Sequence, residues 1–295
     1  MALKYFARAD EDFGVFMSIT RKGIFRRKMV SIMKGWKFIL IVFSVFLIGL
    51  SLSPEPETQA YLFLGQSNMV GYKTDSSRLP KNESVVPNVK IFKNGQWKAY
   101  VLEKQVGPEL SAVKALAGSD FIVGELGLIK LAFNSTSLFA WSPNWSREKA
   151  TVTDNARVGP LYEKLLSIVR KAKKAQKTRI RAVFWLQGET DAKYQEAARQ
   201  YKQNLTEFIT SLRRDLGDPE LPFILAKIDP PSECCPYRNT VRKAQIDVAN
   251  ELDKVEIVSI DDLSRQADRL HLDEMGQIRL GRRYAGAYLQ LEGLK

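Results

Sequence analysis

Three short segments carry the side chains in this chain best suited to chemistry. The first is Gly65-Gln66-Ser67-Asn68-Met69, which directly follows the short apolar run Tyr61–Leu64. A serine at the turn after a strand, next to a glycine, presents its hydroxyl and neighbouring backbone N–H groups at the sheet edge. The second is Gln187-Gly188-Glu189-Thr190-Asp191, after the run Ala182–Leu186, which sets an amide and two carboxylates beside a glycine. Thr190 or Asp191 would also serve there as a helix cap. The third is Asp268-Arg269-Leu270-His271, followed by Leu272-Asp273 and Gly276-Gln277. A serine hydroxyl needs a base to act as a nucleophile near neutral pH, and imidazole is the usual supplier. His271 is the one histidine in 295 residues, so if Ser67 is a nucleophile its base is His271. Asp268, three residues earlier, is placed to accept from the imidazole and fix its tautomer.

The same count bears on other chemistries. A single histidine excludes a histidine-rich metal site, and the two cysteines, Cys234 and Cys235, are neighbours without metal-ligand spacing. No metal and no cofactor is expected. The adjacent cysteines are taken as free thiols, a disulfide between neighbours being strained.

Charge gives two further expectations. The net charge is +12. Residues 1–52 hold nine basic side chains against three acids, which is half of that excess. Much of the rest lies in Arg170, Lys171, Lys173, Lys174, Lys177, Arg179 and Arg181. No aromatic residue is interleaved there for base stacking, so the run reads as a solvated helix end and no nucleic-acid partner is expected. The basic residues before 38 precede the uncharged run Phe38–Leu52. That pattern predicts an export signal or membrane anchor at 36–52, with the rest of the chain outside the cytoplasm. Residues 1–35 read as a basic segment; Met29 and Met33 would each start a more typical signal peptide, residues 1–28 then being an overcalled start. Residues 53–59 read as a Pro-Glu linker, and Thr58-Gln59-Ala60 is a fair cleavage site.

From 60 to 295 the pattern describes one domain whose elements must hold the three segments. Strands are expected at Tyr61–Leu64, Val89–Phe92, Trp97–Val101, Leu126–Phe133, Ala182–Leu186, Pro222–Ile228 and Val255–Ile260, with Asn94-Gly95 as a hairpin turn. Helices are expected at Pro108–Ala117, Pro160–Ala175, Ala192–Leu216, Val241–Leu252 and Gly276–Leu289. Such alternation predicts an α/β fold, a parallel sheet covered on both faces, with its working site at the carboxyl ends of the strands.

The three segments, in that order, with Gly276-Gln277 and Gly281-x-Arg283 behind them, resemble the sialate O-acetylesterase-like branch of the SGNH hydrolases. That branch includes the family 6 carbohydrate esterases and acetylxylan esterases, and the resemblance covers about residues 60–290. It implies a flavodoxin-like three-layer α/β/α sandwich and metal-free hydrolysis of O-acetyl esters on a carbohydrate through a covalent acyl-enzyme. The family's nucleophile falls on Ser67 and its Asp-x-x-His pair on Asp268 and His271, with Glu189 a competing acidic partner. Its oxyanion hole maps to the Ser67 N–H, to Gly107 in Val106-Gly107-Pro108-Glu109, and to Gln187. Asn68, Asn134, Thr136 and Trp141 are candidate substrate contacts. Trp141 and Trp145 are candidates either for stacking on sugar rings or for packing. Arg242 reads as a structural ion pair. A glycine pair common in relatives is replaced here by Asn134-Ser135 before Thr136-Ser137-Leu138. The alternatives are a carbohydrate-binding protein that has lost turnover, or an O-acetyl transferase.

Overall fold

The architecture is taken from a computed structural model of the chain. It describes residues 57–119, 122, 124–153 and 157–294; the segments expected at 1–35 and 36–52 lie outside the described residues. Seven strands form one sheet: β1 (Thr58–Gly65), β2 (Lys90–Lys93), β3 (Gln96–Ala99), β4 (Glu125–Ala132), β5 (Thr178–Leu186), β6 (Phe223–Lys227) and β7 (Val255–Ser259), in the spatial order β3-β2-β4-β1-β5-β6-β7. Every pairing is parallel except β2 with β3, which meet through the Asn94-Gly95 turn. Both turn residues have positive φ, 55° and 79°, which Asn and Gly tolerate. Without that hairpin the order is the flavodoxin-like one, and its direction of winding reverses between β1 and β5.

Alternate residues of the central strands feed two cores. Ala60, Leu62, Leu64, Val183 and Trp185 face helices α4 (Leu161–Ala175), α5 (Gln195–Leu216) and α6 (Arg238–Glu251). Tyr61, Phe63, Phe184 and Leu186 face α2 (Glu109–Ala117) and α7 (Glu274–Leu291). The expected three-layer sandwich is therefore present. Two four-residue helices, α1 (Ser67–Val70) and α3 (Arg147–Ala150), lie in the connections.

Several boundaries differ from expectation. β1 begins at Thr58, so residues 58 and 59 belong to the sheet and not to a linker. Thr58 is fully buried, its hydroxyl donates to Glu125 and its N–H to the Lys177 carbonyl. β5 begins at Thr178, four residues early: Thr178 and Ile180 point inward while Arg179 is exposed, a period-two pattern hidden inside the basic run. Helix α5 starts at Gln195 without a side-chain cap, so neither Thr190 nor Asp191 caps it. Helix α7 is capped by Asp273, whose carboxylate accepts from the Gly276 N–H at 2.8 Å. The basic run ends α4 with Arg170, Lys171, Lys173 and Lys174 exposed. Among the described residues no helix is long and apolar enough to cross a membrane.

Candidate active site

The site forms where β1 and β5 end side by side, Gly65 pairing with Leu186. A Cβ on Gly65 would lie 2.0 Å from the Leu186 carbonyl oxygen, and its φ is +152°. Only glycine lets the two strand ends approach this closely. Ser67 then opens α1, and a residue at the first position of a helix has an N–H with no intrahelical acceptor. Helix α1 stops at Gly71, whose left-handed φ of 81° leaves no room for a side chain against the Val106 carbonyl.

Ser67 and His271, 204 positions apart, meet: Ser67 Oγ and His271 Nε2 are 3.0 Å apart. His271 Nδ1 is 2.8 Å from Asp268 Oδ2. Asp268 Oδ1 accepts the backbone N–H groups of Leu270 and His271 at 3.0 and 2.9 Å. Partial burial would raise the Asp268 pKa, but these bonds from His271 and the backbone outweigh it and hold the carboxyl below its usual value. An ionised Asp268 only accepts, so Nδ1 carries the ring proton and Nε2 offers its lone pair to the serine hydroxyl. Ser67 and His271 are 7% and 9% exposed, enough to meet a ligand while shielded from bulk water.

Glu189 does not reach His271 by hydrogen bond. Its Oε1 accepts from Asn68 Nδ2 at 2.7 Å, and full burial raises its pKa against the opposing bond from Asn68. Asn68 is a clamp: besides Glu189 it donates to the Leu270 carbonyl at 3.3 Å, and its Oδ1 accepts the Leu272 N–H at 2.9 Å. Its own carbonyl accepts from Gln277. With both ends of its amide bonded inside the protein, Asn68 is not a substrate contact.

Four other expected residues also lie elsewhere. Gln187 is wholly buried and its Nε2 faces Gln66 Oε1, the Thr136 carbonyl and Asp191, so it does not serve as an oxyanion donor. Gly107 is not part of the cleft wall; its N–H donates to Glu109 at 3.4 Å beside Lys130. Thr136 is buried, its hydroxyl on the Phe133 carbonyl. Trp141 is fully buried with its ring edge-on to Trp185 and Phe208, a core residue and not a sugar platform. Trp145 packs against Gly159. Asn134 does line the cleft. Arg242 forms the expected ion pair, bidentate on Asp261 and reaching Asp229.

The cleft over Ser67 and His271 has a volume of ≈ 260 Å³, and Tyr72 and Lys193 in its wall carry no signal in sequence. Tyr72 lays its ring 4.7 Å from the His271 ring. Gln66 faces the cleft while its Oε1 accepts from Gln187 Nε2 at 3.2 Å and weakly from the Gly188 and Thr190 N–H groups at 3.5 and 3.4 Å. Those bonds fix the orientation of its amide. Lys193 is the cationic side chain of the cleft wall, exposed on the turn Asp191–Lys193.

Comparison with known proteins agrees with this architecture. A probable carbohydrate esterase from Arabidopsis thaliana is 28% identical over 262 residues, covering 80% of this chain and 92% of its own length. The X-ray structure of an Arabidopsis thaliana protein superposes with a TM-score of 0.66 at 24% identity, over 80% of this chain and 98% of that one. A carbohydrate acetylesterase from Xanthomonas citri superposes with a TM-score of 0.63 at 18% identity, over 80% of this chain and 57% of that one. The sequence profile of the family described as "carbohydrate esterase, sialic acid-specific acetylesterase" matches residues 57–290, and the chain therefore belongs to that family of carbohydrate esterases.

Proposed function

We propose that this enzyme is a serine esterase that hydrolyses O-acetyl esters on carbohydrates through a covalent acetyl-enzyme. The observation carrying the proposal is the unbroken line of hydrogen bonds from Ser67 through His271 to Asp268 at the wall of the cleft. His271 Nε2 takes the Ser67 proton as Oγ attacks the acetyl carbonyl. The negative charge that develops on the carbonyl oxygen faces the Ser67 N–H and the Gln66 amide. One such donor is typically worth about 2.7–4 kcal/mol in the transition state. The imidazolium, steadied by Asp268, protonates the departing sugar oxygen, and water then repeats the sequence to release acetate.

The sugar would occupy the cleft between Tyr72, Asn134 and Lys193. Lys193 favours a sugar that bears a carboxylate, a class that includes sialic acids, over neutral acetylated xylan. Acetate release from matched acetyl-sialic acid, acetyl-glucuronide and acetylxylan substrates tests this. A preference for the neutral xylan that Lys193→Met leaves unaltered would remove the charge argument. The basic and apolar residues before 53 support an exported or membrane-anchored enzyme with its catalytic domain outside the cytoplasm. N-terminal sequencing of the mature protein, with cell fractionation, tests that placement.

A further inference from the structure

The site uses neither Cys234 nor Cys235, yet both lie in the loop that braces it. Between β6 and α6 the chain runs Pro230-Pro231-Ser232-Glu233-Cys234-Cys235-Pro236. Neighbouring side chains in extended backbone point to opposite faces. Here the Cys235 N–H folds back to the Pro231 carbonyl at 3.1 Å, and the two Sγ atoms face each other 2.9 Å apart as free thiols. Cys234 is exposed and Cys235 is buried, its Sγ 3.5 Å from the Glu189 carbonyl at the end of β5. Glu233, the residue before, pairs at 2.8 Å with Arg269, which sits inside the His271 loop at a φ of +56°. A non-glycine residue in that region of φ depends on its surroundings to stay there.

We propose that Cys234 and Cys235 form a thiol–disulfide exchange site that closes to a bridge between sequence neighbours and, in closing, releases the Glu233–Arg269 brace on the His271 loop. The oxidant is a small-molecule disulfide. The accessible Cys234 thiolate attacks one of its sulfurs, forming a mixed disulfide and expelling a thiolate. That thiolate takes the proton of Cys235, whose sulfur attacks Cys234 Sγ and expels the second sulfur as a thiolate, which takes up the proton that Cys234 gave to solvent. Two protein thiols become one disulfide, and one small disulfide becomes two thiols. Burial raises the Cys235 thiol pKa, so the accessible Cys234 is the one that attacks first. Joining neighbouring cysteines brings their Cα atoms closer than ordinary disulfides hold them, so the bridge is strained and readily reduced. Closing the ring twists the peptide between the cysteines, and Glu233 moves with the turn.

The test incubates the whole protein in graded mixtures of oxidised and reduced glutathione. Peptide mapping by mass is followed by hydrogen exchange of the segment around 266–272. Wild type is expected to lose two hydrogens across Cys234–Cys235 with no retained glutathione, whereas Cys235→Ser retains one glutathione on Cys234. Exchange in the 266–272 segment is expected to rise several-fold in the bridged protein and to return on reduction. Stable glutathione adducts on wild type, or a bridge that leaves exchange unchanged, overturns the proposal. Neither readout depends on esterase turnover, so a failure here is separate from a failure of the proposed activity.

Discussion

Asn68 accepts the backbone N–H of Leu272 at 2.9 Å, so the residue after Ser67 holds the residue after His271. The same side chain donates to the Leu270 carbonyl on the other side of the histidine, and to Glu189 at the end of β5. One amide thus joins all three segments that the sequence marks out. The Ser67–His271 distance is a consequence of this clamp as much as of either residue's own position.

Removing that amide is expected to loosen the site before it unfolds the protein. Asn68→Ala leaves the Leu272 N–H and Glu189 Oε1 without partners, at a cost of about 1–3 kcal/mol for a buried group left unpaired. Thermal unfolding should report the lost stability. kcat should fall by more than KM changes, because the defect lies in aligning His271 and not in holding the sugar. An unchanged kcat would show that the His271 loop positions itself without Asn68.

Ser67→Ala and His271→Ala are each expected to lower kcat on p-nitrophenyl acetate by about 10⁴-fold or more, with circular dichroism and melting temperature close to the parent. Turnover within about tenfold of wild type in either variant would falsify the proposed nucleophile and base.

The two carboxylates near the imidazole should separate cleanly. Asp268→Asn removes the acceptor that fixes the His271 tautomer, for which a loss of about 10⁴ in kcat is expected. Glu189→Gln keeps an oxygen for Asn68 and relieves the burial of a charge, so its kcat should stay within about tenfold of wild type. The reverse ranking would move the acidic role to Glu189.

Two buried or partly buried acids predict opposite pH effects. The Asp268 pKa is held low in the fold, so its stabilising contribution is present above the unfolded value near ~3.9 and is lost as pH falls through the folded value. Asp191 is pushed up to about 7 by burial, against bonds from Gln187 and the Leu138 N–H. Its contribution is complete below the unfolded value near ~3.9 and is lost as pH rises through about 7. Melting temperature measured from pH 4 to 8 should therefore carry a downward slope that is reduced in Asp191→Asn. An equal slope in both proteins would assign it to other groups.

The sequence made the sheet and the reacting atoms legible because both follow short-range rules. Apolar runs bounded by glycine mark strand ends, and a lone histidine leaves one choice of base. The orientation of Gln187 was not legible. It depends on which way the pleat of β5 points beside β1, and a register shift at Ala60–Tyr61 intervenes in that pairing. The burial of Trp141 was equally hidden, since an indole suits a core or a sugar and only the positions of Trp185 and Phe208 decide. Tyr72 follows a glycine turn, so its approach to His271 is set by the direction in which the chain leaves Gly71. Gln66 stood inside a segment already singled out. Its contribution emerges only once the donors on its Oε1 are known.

The first residue of β1 sets a limit on maturation. Thr58 is an inner tooth of the central strand, tied to Glu125 on one side and to the Lys177 carbonyl on the other. A peptidase cutting after Ala60 would pull three residues from the middle of the sheet, where β4 and β5 both depend on them. Any trimming compatible with a working enzyme must stop upstream of Thr58.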